Sequence, residues 1–234
     1  MVANATKTPR VTSGRGMLPL YVRLLGMRSV MQADETLKCR YRKAEALLYV
    51  LVVERRRMPR TRIAQFLWPG TDAKSAARDL RVVLNDVRAK IGNRLVAPSD
   101  SPYVSPHRVR RDLDRIESLT ALPLDAFTSD PLLTGSATLL EGFEVEDASA
   151  FVEWRRHADD QTRERRASER ARHVEETRTK DACDAAFAWL DASVRRDPWD
   201  ETLVLGLVRP ALRQRDASVA LRRMHAVHSG RRVG

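Results

Sequence analysis

The stretch that decides the fold is residues 60–91, whose sequence is RTRIAQFLWPGTDAKSAARDLRVVLNDVRAKI. It predicts a short helix, a sharp stop at the Trp-Pro-Gly sequence of 68–70, and then a long amphipathic helix. Thr71 or Asp72 can cap the start of the long helix, and Gly92 is suited to end it. Two helices joined by a tight turn form the framework of helix-turn-helix proteins, which place the second helix in DNA.

The long helix has two chemically different sides. Five polar residues recur at spacings of four, three, four and three, which places them on one side of a helix. We call this set the basic face, and it consists of Lys74, Arg78, Arg81, Asn85 and Arg88. The apolar side is formed by Leu80, Leu84, Val87 and Ile91, with Val83 beside them. The helix is therefore expected to bury its apolar side and to leave the basic face open.

The basic face has the kinds of side chain that contact nucleic acid. Arginine can grip guanine and asparagine can grip adenine in the major groove, so we expect Arg78, Arg81 and Asn85 to enter it. Lys74 and Arg88 lie nearer the helix ends and are expected to contact phosphate. A solvated helix face is the usual meaning of a charged stripe, but the turn before the helix and the hairpin predicted after it favour DNA binding.

Charge is distributed unevenly along the 234 residues. Residues 1–120 contain 24 Lys and Arg against 11 Asp and Glu, a net charge of +13. Residues 121–234 contain 18 against 20, a net charge of −2. The whole positive excess therefore lies in the first half, which indicates a polyanion-binding domain joined to a domain with another role.

The segments on either side of the two helices predict a winged helix. Short β-prone pieces within 18–40 predict a small antiparallel sheet, and 43–57 predicts a helix with one apolar face. Extended pieces at 94–98 and 103–105 surround a polar turn and predict a β-hairpin, which would be the wing. Residues 109–119 are expected to leave the domain through a strand and into a helix.

The second half of the chain is predicted to be helical. After a loop-rich stretch over 123–142, a long helix is expected over 147–177, with the interleaved charges of a solvated helix. Shorter helices at the spacing of tetratricopeptide units are expected over Asp181–Arg196, Trp199–Arg213 and Ala217–His228.

The fold class that follows is mainly α with a small antiparallel β component. We expect a disordered tail over 1–17 and a winged helix-turn-helix DNA-binding domain over 18–120. An all-α, tetratricopeptide-like domain is expected over 121–234.

Two further clusters of arginine lie beside the predicted DNA-binding elements. The first, at the junction of the first two helices, contains Arg55, Arg56, Arg57, Arg60 and Arg62. The second follows the wing and contains Arg108, Arg110 and Arg111, with His107 among them. Phosphate contact is the functional interpretation of the first cluster, and minor-groove or backbone contact that of the second. Solvated loops are the alternative for both.

Nothing in the sequence predicts catalysis. No glycine-rich nucleotide loop and no nucleophile motif occurs, and the five histidines form no metal-ligand pattern with Cys or carboxylates. We therefore expect no enzyme, no cofactor and no metal site. No apolar run approaches the ~20 residues of a membrane span, and no secretory signal is present. A cytoplasmic, nucleoid-associated protein in which Cys39 and Cys183 are reduced is expected.

Specific segments resemble a known family of regulators. The first half carries them at 24–26, 60–69, 76–81 and 112–117, and the second half at 139–143, 151–154 and 197–201. Residues 18–120 resemble the OmpR-type winged helix, and residues 123–234 resemble the bacterial transcriptional activator domain. Together these parts, about nine-tenths of the chain, resemble the Streptomyces antibiotic regulatory protein family.

The resemblance implies a DNA-binding transcriptional activator. Members of this family bind direct repeats in promoters, usually as dimers, and help to recruit RNA polymerase. Their DNA-reading helix corresponds here to 72–91. The partners expected on this ground are double-stranded DNA, RNA polymerase and a second copy of the chain, with no membrane. Two alternatives stay open: a helical-repeat protein-interaction adaptor, or the N-terminal regulatory part of a larger signalling ATPase.

Overall fold

The computed structural model describes residues 19–97, 100–117 and 137–176, with side chains in the last helix described to 169 except at 167. The tail predicted over 1–17 and the helices predicted between 181 and 228 lie outside the described residues. The strands are β1 Leu20–Arg23, β2 Ser29–Gln32, β3 Glu35–Thr36, β4 Leu95–Val96, β5 Tyr103–Val104 and β6 Val109–Arg111. The helices are α1 Arg42–Glu54, α2 Arg60–Leu67, α3 Ala73–Ile91, α4 Leu113–Glu117 and α5 Ser149–Glu176.

The larger sheet has four strands in the order β3-β2-β1-β6. β1 and β2 pair antiparallel, as the sequence predicted, but β1 and β6 pair parallel, with Leu20 opposite Val109. The small antiparallel sheet predicted within 18–40 is confirmed for β1, β2 and β3, whereas the parallel addition of β6 was not predicted. The physical reason is that β6 reaches the sheet only after three helices and the wing, and short-range alternation of apolar residues does not reveal a partner so distant in sequence.

The wing follows directly after α3. A short 3₁₀ turn over Gly92–Arg94 leads into β4, which pairs antiparallel with β5 so that Leu95 lies opposite Val104. The chain before α2 runs alongside this hairpin, because Met58 N donates to Pro102 O at 3.2 Å. The predicted β-hairpin is confirmed, and it is joined by backbone hydrogen bonds to the entry of α2.

α1 ends earlier than predicted. It stops at Glu54 because Arg55 adopts a left-handed conformation with φ +50°, and the Arg55 N–H donates to Leu51 O. Such a conformation is unfavourable for a residue with a Cβ and persists where neighbours hold it. Asp114 does so here, since its carboxylate accepts from the Arg55 guanidinium at 2.6 Å.

A buried carboxylate between β6 and α4 fastens this part of the chain to the rest of the domain. Asp112 is fully buried and accepts hydrogen bonds from Leu24 N at 2.9 Å and Leu25 N at 2.8 Å. Its burial raises the pKa of the Asp112 carboxyl, against the opposing effect of those N–H groups. This carboxylate therefore connects the end of β1 to the start of α4.

The segment after residue 137 shares the same hydrophobic core as the winged helix. Phe143 is fully buried, with its ring edge-on to Tyr49 of α1 at 5.3 Å and to Phe151 of α5 at 5.6 Å. The guanidinium groups of Arg28 and Arg42 lie 4.6 and 4.2 Å from the centre of the Phe143 ring. The start of α5 thus packs against α1 and α2. It does not cover the basic face, because all five residues of that face remain exposed.

Candidate nucleic-acid interface

α3 is held at both ends by the caps that the sequence predicted. Asp72 is the residue before the first turn, and its carboxylate accepts from Lys74 N at 3.1 Å and Ser75 N at 3.0 Å. The Ser75 side chain and backbone donate to this carboxylate and lower the pKa of Asp72. Gly92 ends the helix with φ +60°, and its N–H donates to Arg88 O.

The two sides of α3 differ as predicted in their exposure to solvent. The buried residues of the helix are Ala76, Leu80, Val83, Leu84, Val87 and Ile91. Every residue of the basic face is exposed: Lys74, Arg78, Arg81, Asn85 and Arg88. The helix therefore presents an uncovered row of polar side chains along its axis, and it rises about 1.5 Å per residue. An α-helix of this kind fits into the major groove.

Most of the basic face has no partner within the described part of the chain. Arg78 forms an ion pair with Asp79, Nε to Oδ1 at 3.3 Å, with 74% of the Arg78 side chain exposed. The other four side chains make no hydrogen bond or ion pair with described residues. Exposed pairs such as Arg78 with Asp79 contribute ~0–1 kcal/mol, so this contact is easily exchanged for one to an anion.

Asp86 lies off the basic face and has a structural role. Its Oδ2 accepts from Arg40 N at 2.7 Å and from Tyr41 N at 3.1 Å, at the start of α1. Tyr41 is the N-cap residue of α1, so the Asp86 carboxylate holds the two residues that lead into the first turn of this helix. The negative charge of Asp86 is thus used to align α1 with α3.

The arginine cluster at the junction of α1 and α2 contains residues that contact other side chains and residues that remain available to a ligand. Arg55 is bound to Asp114, Arg56 pairs with Glu54 at 2.6 Å, and the Arg57 guanidinium lies 5.1 Å from the Tyr103 ring centre. Arg62 is exposed and Arg60 is half-buried. The last two remain as candidates for phosphate contact.

The cluster after the wing divides in the same way. Arg108 is exposed and its guanidinium donates to Asn93 O at 3.5 Å, at the base of the wing. Arg110 is exposed but lies in β6 opposite Tyr21, on the outer face of the four-stranded sheet. Arg111 points to the other face and is buried, where it binds Asp114 at 2.8 Å and Val53 O at 2.7 Å. The interpretation of Arg111 as a residue of the DNA surface was therefore wrong, because strand alternation turns it inward.

Two exposed polar residues of α2 were not predicted. Thr61 and Gln65 lie one helical turn apart and face α3 across a cavity beside the basic face. Their spacing of four within the short first helix was the signal in the sequence. Both side chains offer hydrogen-bond donors to a ligand at this place.

The described residues offer little for other chemistry. They contain no group of three His, Cys, Asp or Glu side chains that could hold a metal ion. Burial, and then the charge of Asp86, raise the pKa of the Cys39 thiol to about 12, which leaves it without the thiolate form that reacts. Among the same residues, no helix combines the length and the apolar character needed for crossing a bilayer.

Comparison with known proteins supports the fold. No protein-family model and no curated protein sequence matches the chain. Among solved structures, the chain is similar to EmbR of Mycobacterium tuberculosis, determined in complex with a low affinity phosphopeptide, with a TM-score of 0.62 and 16% sequence identity. The similarity covers 90% of this chain and 59% of the EmbR chain. A likeness at this level of identity concerns the fold, and it supports an OmpR-like winged helix in the first half of the chain.

Proposed function

We propose that this chain is a sequence-specific DNA-binding regulator of transcription that inserts α3 into the major groove. The observation that carries the proposal is the contrast between the two sides of α3. Its apolar side is buried, whereas the basic face is exposed and, apart from Arg78, has no partner among the described residues. A helix in this state matches the second helix of a helix-turn-helix unit.

The residues have different roles in this proposal. Arg78, Arg81 and Asn85, in the middle of the basic face, enter the major groove, and Lys74 and Arg88, nearer the ends, contact phosphate. Arg62 and Arg108 extend the positive surface to either side of α3. Arg110, on the sheet, adds to the positive potential that attracts the duplex.

The remaining parts of the proposal rest on the sequence resemblance. On that ground, the protein is an activator that binds direct repeats in promoters as a dimer and recruits RNA polymerase. The segment over 137–166 contributes by holding α1 and α2 in place, since it shares their core. The helical stretches assigned to the activator domain supply the surface for the polymerase.

Selection of bound sequences from random duplex DNA tests the proposal. The full chain is expected to enrich one sequence, and the distance between repeats in it gives the number of bound copies. Asn85→Ala should relax the preference at one base pair and cost about 1–3 kcal/mol on the selected site. Arg156→Ala removes an exposed arginine of α5 and is the matched control, which should bind like the parent.

Salt dependence gives a second readout on the same DNA. Each phosphate contact should contribute about −0.9 to the slope of log affinity against log salt concentration. Enrichment of no sequence, together with a flat salt response, would exclude DNA binding. A pull-down in which residues 123–234 alone retain every partner would then support the alternative of a protein-interaction adaptor.

A further inference from the structure

A cavity of about 340 Å³ lies between α2 and α3. Its floor consists of small and apolar side chains, among them Ala64, Ala76 and Leu80. Arg60 of α2 and Arg81 of α3 stand at its walls. No carboxylate lines the cavity, so Arg60 and Arg81 meet no competing negative charge there.

Arg60 is unusual among the described arginines. Its Nε is buried and has no hydrogen-bond partner in the described structure. A buried donor without a partner costs free energy, so a site of this kind is completed when an acceptor arrives. The Arg60 backbone is fixed, because its N–H donates to Asp100 O at 2.9 Å. The buried Nε shows that the inner part of the Arg60 side chain is packed within the protein.

Arg81 differs from Arg78 in its direction around α3. Successive helix residues are about 100° apart, so these two arginines diverge by roughly 60° although both belong to the basic face. Arg78 lies on the side of Asp79, to which it is paired. Arg81 lies on the side of α2, where it lines the cavity and makes no hydrogen bond or ion pair with described residues.

We propose that the α2–α3 cavity holds one phosphate of the DNA backbone between Arg60 and Arg81. Arg81 then fixes the position of α3 in the groove and does not read a base, unlike its neighbour Arg78. This inference rests on the proposed function and adds to it a ligand for the cavity and a division of roles within the basic face.

A phosphate group fits the chemistry of the cavity. Two guanidinium groups from different helices offer charge-assisted hydrogen bonds to its oxygens. Thr61 and Gln65 supply further donors, and the alanine floor lets the backbone of a duplex approach closely. DNA is the favoured source of the phosphate because the cavity borders the exposed basic face, so one duplex can contact both.

A methylphosphonate scan of the selected duplex tests the proposal. Each backbone phosphate is replaced singly by a neutral methylphosphonate, and the affinity of the full chain is measured. One replacement is expected to weaken binding of the parent about tenfold, as for one lost charge-assisted contact. The same replacement should have almost no effect on Arg60→Met or on Arg81→Ala, because each lacks one side of the clamp.

Arg62→Ala and Arg88→Ala are the matched controls. Both remove an exposed arginine close to the cavity that does not line it, and both should keep the penalty at that phosphate. Arg81→Ala should also lower the salt slope by about one and leave the order of preference among sequences unchanged. Arg60→Lys keeps the charge and serves if Arg60→Met loses its circular dichroism spectrum.

Three results would overturn the inference while leaving DNA binding intact. In the first, the Arg60 and Arg81 variants lose their sensitivity to methylphosphonate at two different phosphates. In the second, Arg81→Ala changes the preferred base. In the third, both variants are weakened by the replacement as much as the parent is. Inorganic phosphate is the last probe. If it competes at millimolar concentration with the parent but not with Arg81→Ala, and no single DNA phosphate couples to the pair, the cavity is a site for a free anion. Failure of the parent to bind any duplex would instead refute the proposed function.

Discussion

The indole Nε1 of Trp154 in α5 donates to Oε1 of Glu54 at the end of α1, across 2.7 Å. The two residues are 100 positions apart in sequence. The Trp154 ring also lies 5.5 Å from the ring of Phe151 and 6.1 Å from that of Phe66 in α2. The hydrogen bond joins α1 of the winged helix to α5, and the ring contact with Phe66 adds α2 to the same junction.

Replacing Trp154 by Phe should therefore loosen this junction. The substitution keeps an aromatic ring but leaves Glu54, which is half-buried, with one hydrogen bond fewer. We expect the free energy of unfolding to fall by about 1–2 kcal/mol, measured by urea titration. Val152→Ala, at an exposed position two residues before Trp154 and so on another side of α5, is the control. Equal stability of the two variants would mean that the indole N–H does not contribute.

Asp86→Asn should weaken the alignment of α1 with α3. The carboxylate accepts from two backbone N–H groups at the start of α1, and an amide accepts these bonds without the charge that suits a helix N-terminus. A loss of about 1 kcal/mol in unfolding free energy is expected, as for a weakened hydrogen bond to a charged group. A thermal melt checks it. Unchanged stability would show that Arg40 and Tyr41 find water in place of this carboxylate.

Asp79→Asn should strengthen DNA binding. The carboxylate pairs with Arg78 on the surface and repels phosphate, and the amide does neither. A gain in affinity of about two- to fivefold at low salt is expected, since an exposed pair contributes ~0–1 kcal/mol. Unfolding free energy should hardly change. Weaker binding by this variant would indicate that Asp79 positions Arg78 for its base contact.

Acid should weaken the fold through Asp114. Burial alone would raise the pKa of Asp114, but hydrogen bonds from Arg111 and then from Arg55 outweigh it and hold the pKa below its ordinary value of 3.8. A carboxylate with a lowered pKa stabilises the fold above the unfolded value, and this contribution is lost as pH falls through the folded value. Unfolding free energy should therefore decline below about pH 4.

Asp114→Asn isolates this effect. The variant should be less stable at pH 7 and should show a smaller decline in acid than the parent, when both are followed by urea titration. Asp112 works in the opposite direction, because its raised pKa means that protonation relieves the cost of burying a charge. If the unfolding free energy of the variant falls with pH as much as that of the parent, Asp114 is not the cause of the acid sensitivity.

The sequence predicted best what is decided locally. The caps of α3 at Asp72 and Gly92, the exposure of the basic face and the β4–β5 hairpin all follow from side-chain type and spacing within a few residues. Each of these features is determined by interactions between residues close in sequence, so it can be predicted without knowledge of the rest of the chain.

Features decided at long range were missed. The parallel pairing of β6 and the early end of α1 at Arg55 involve partners distant in sequence, as in the hydrogen bonds of Asp112 to Leu24 N and of Asp114 to Arg55. The cavity between α2 and α3 likewise requires the angle between two helices. Periodicity assigns a residue to a side of a helix, and only the packing of neighbours shows what that side faces.

The pairing of β1 with β6 has a consequence for how the protein folds during synthesis. Strand β1 cannot complete its pairing until residues near 110 have left the ribosome. Until then Leu20 and Val22, both fully buried in the finished protein, stay without their final neighbour. Contacts between distant residues are the slow ones to form. Helices α2 and α3 are therefore synthesised before β6, and the four-stranded sheet is completed only after the wing has been translated.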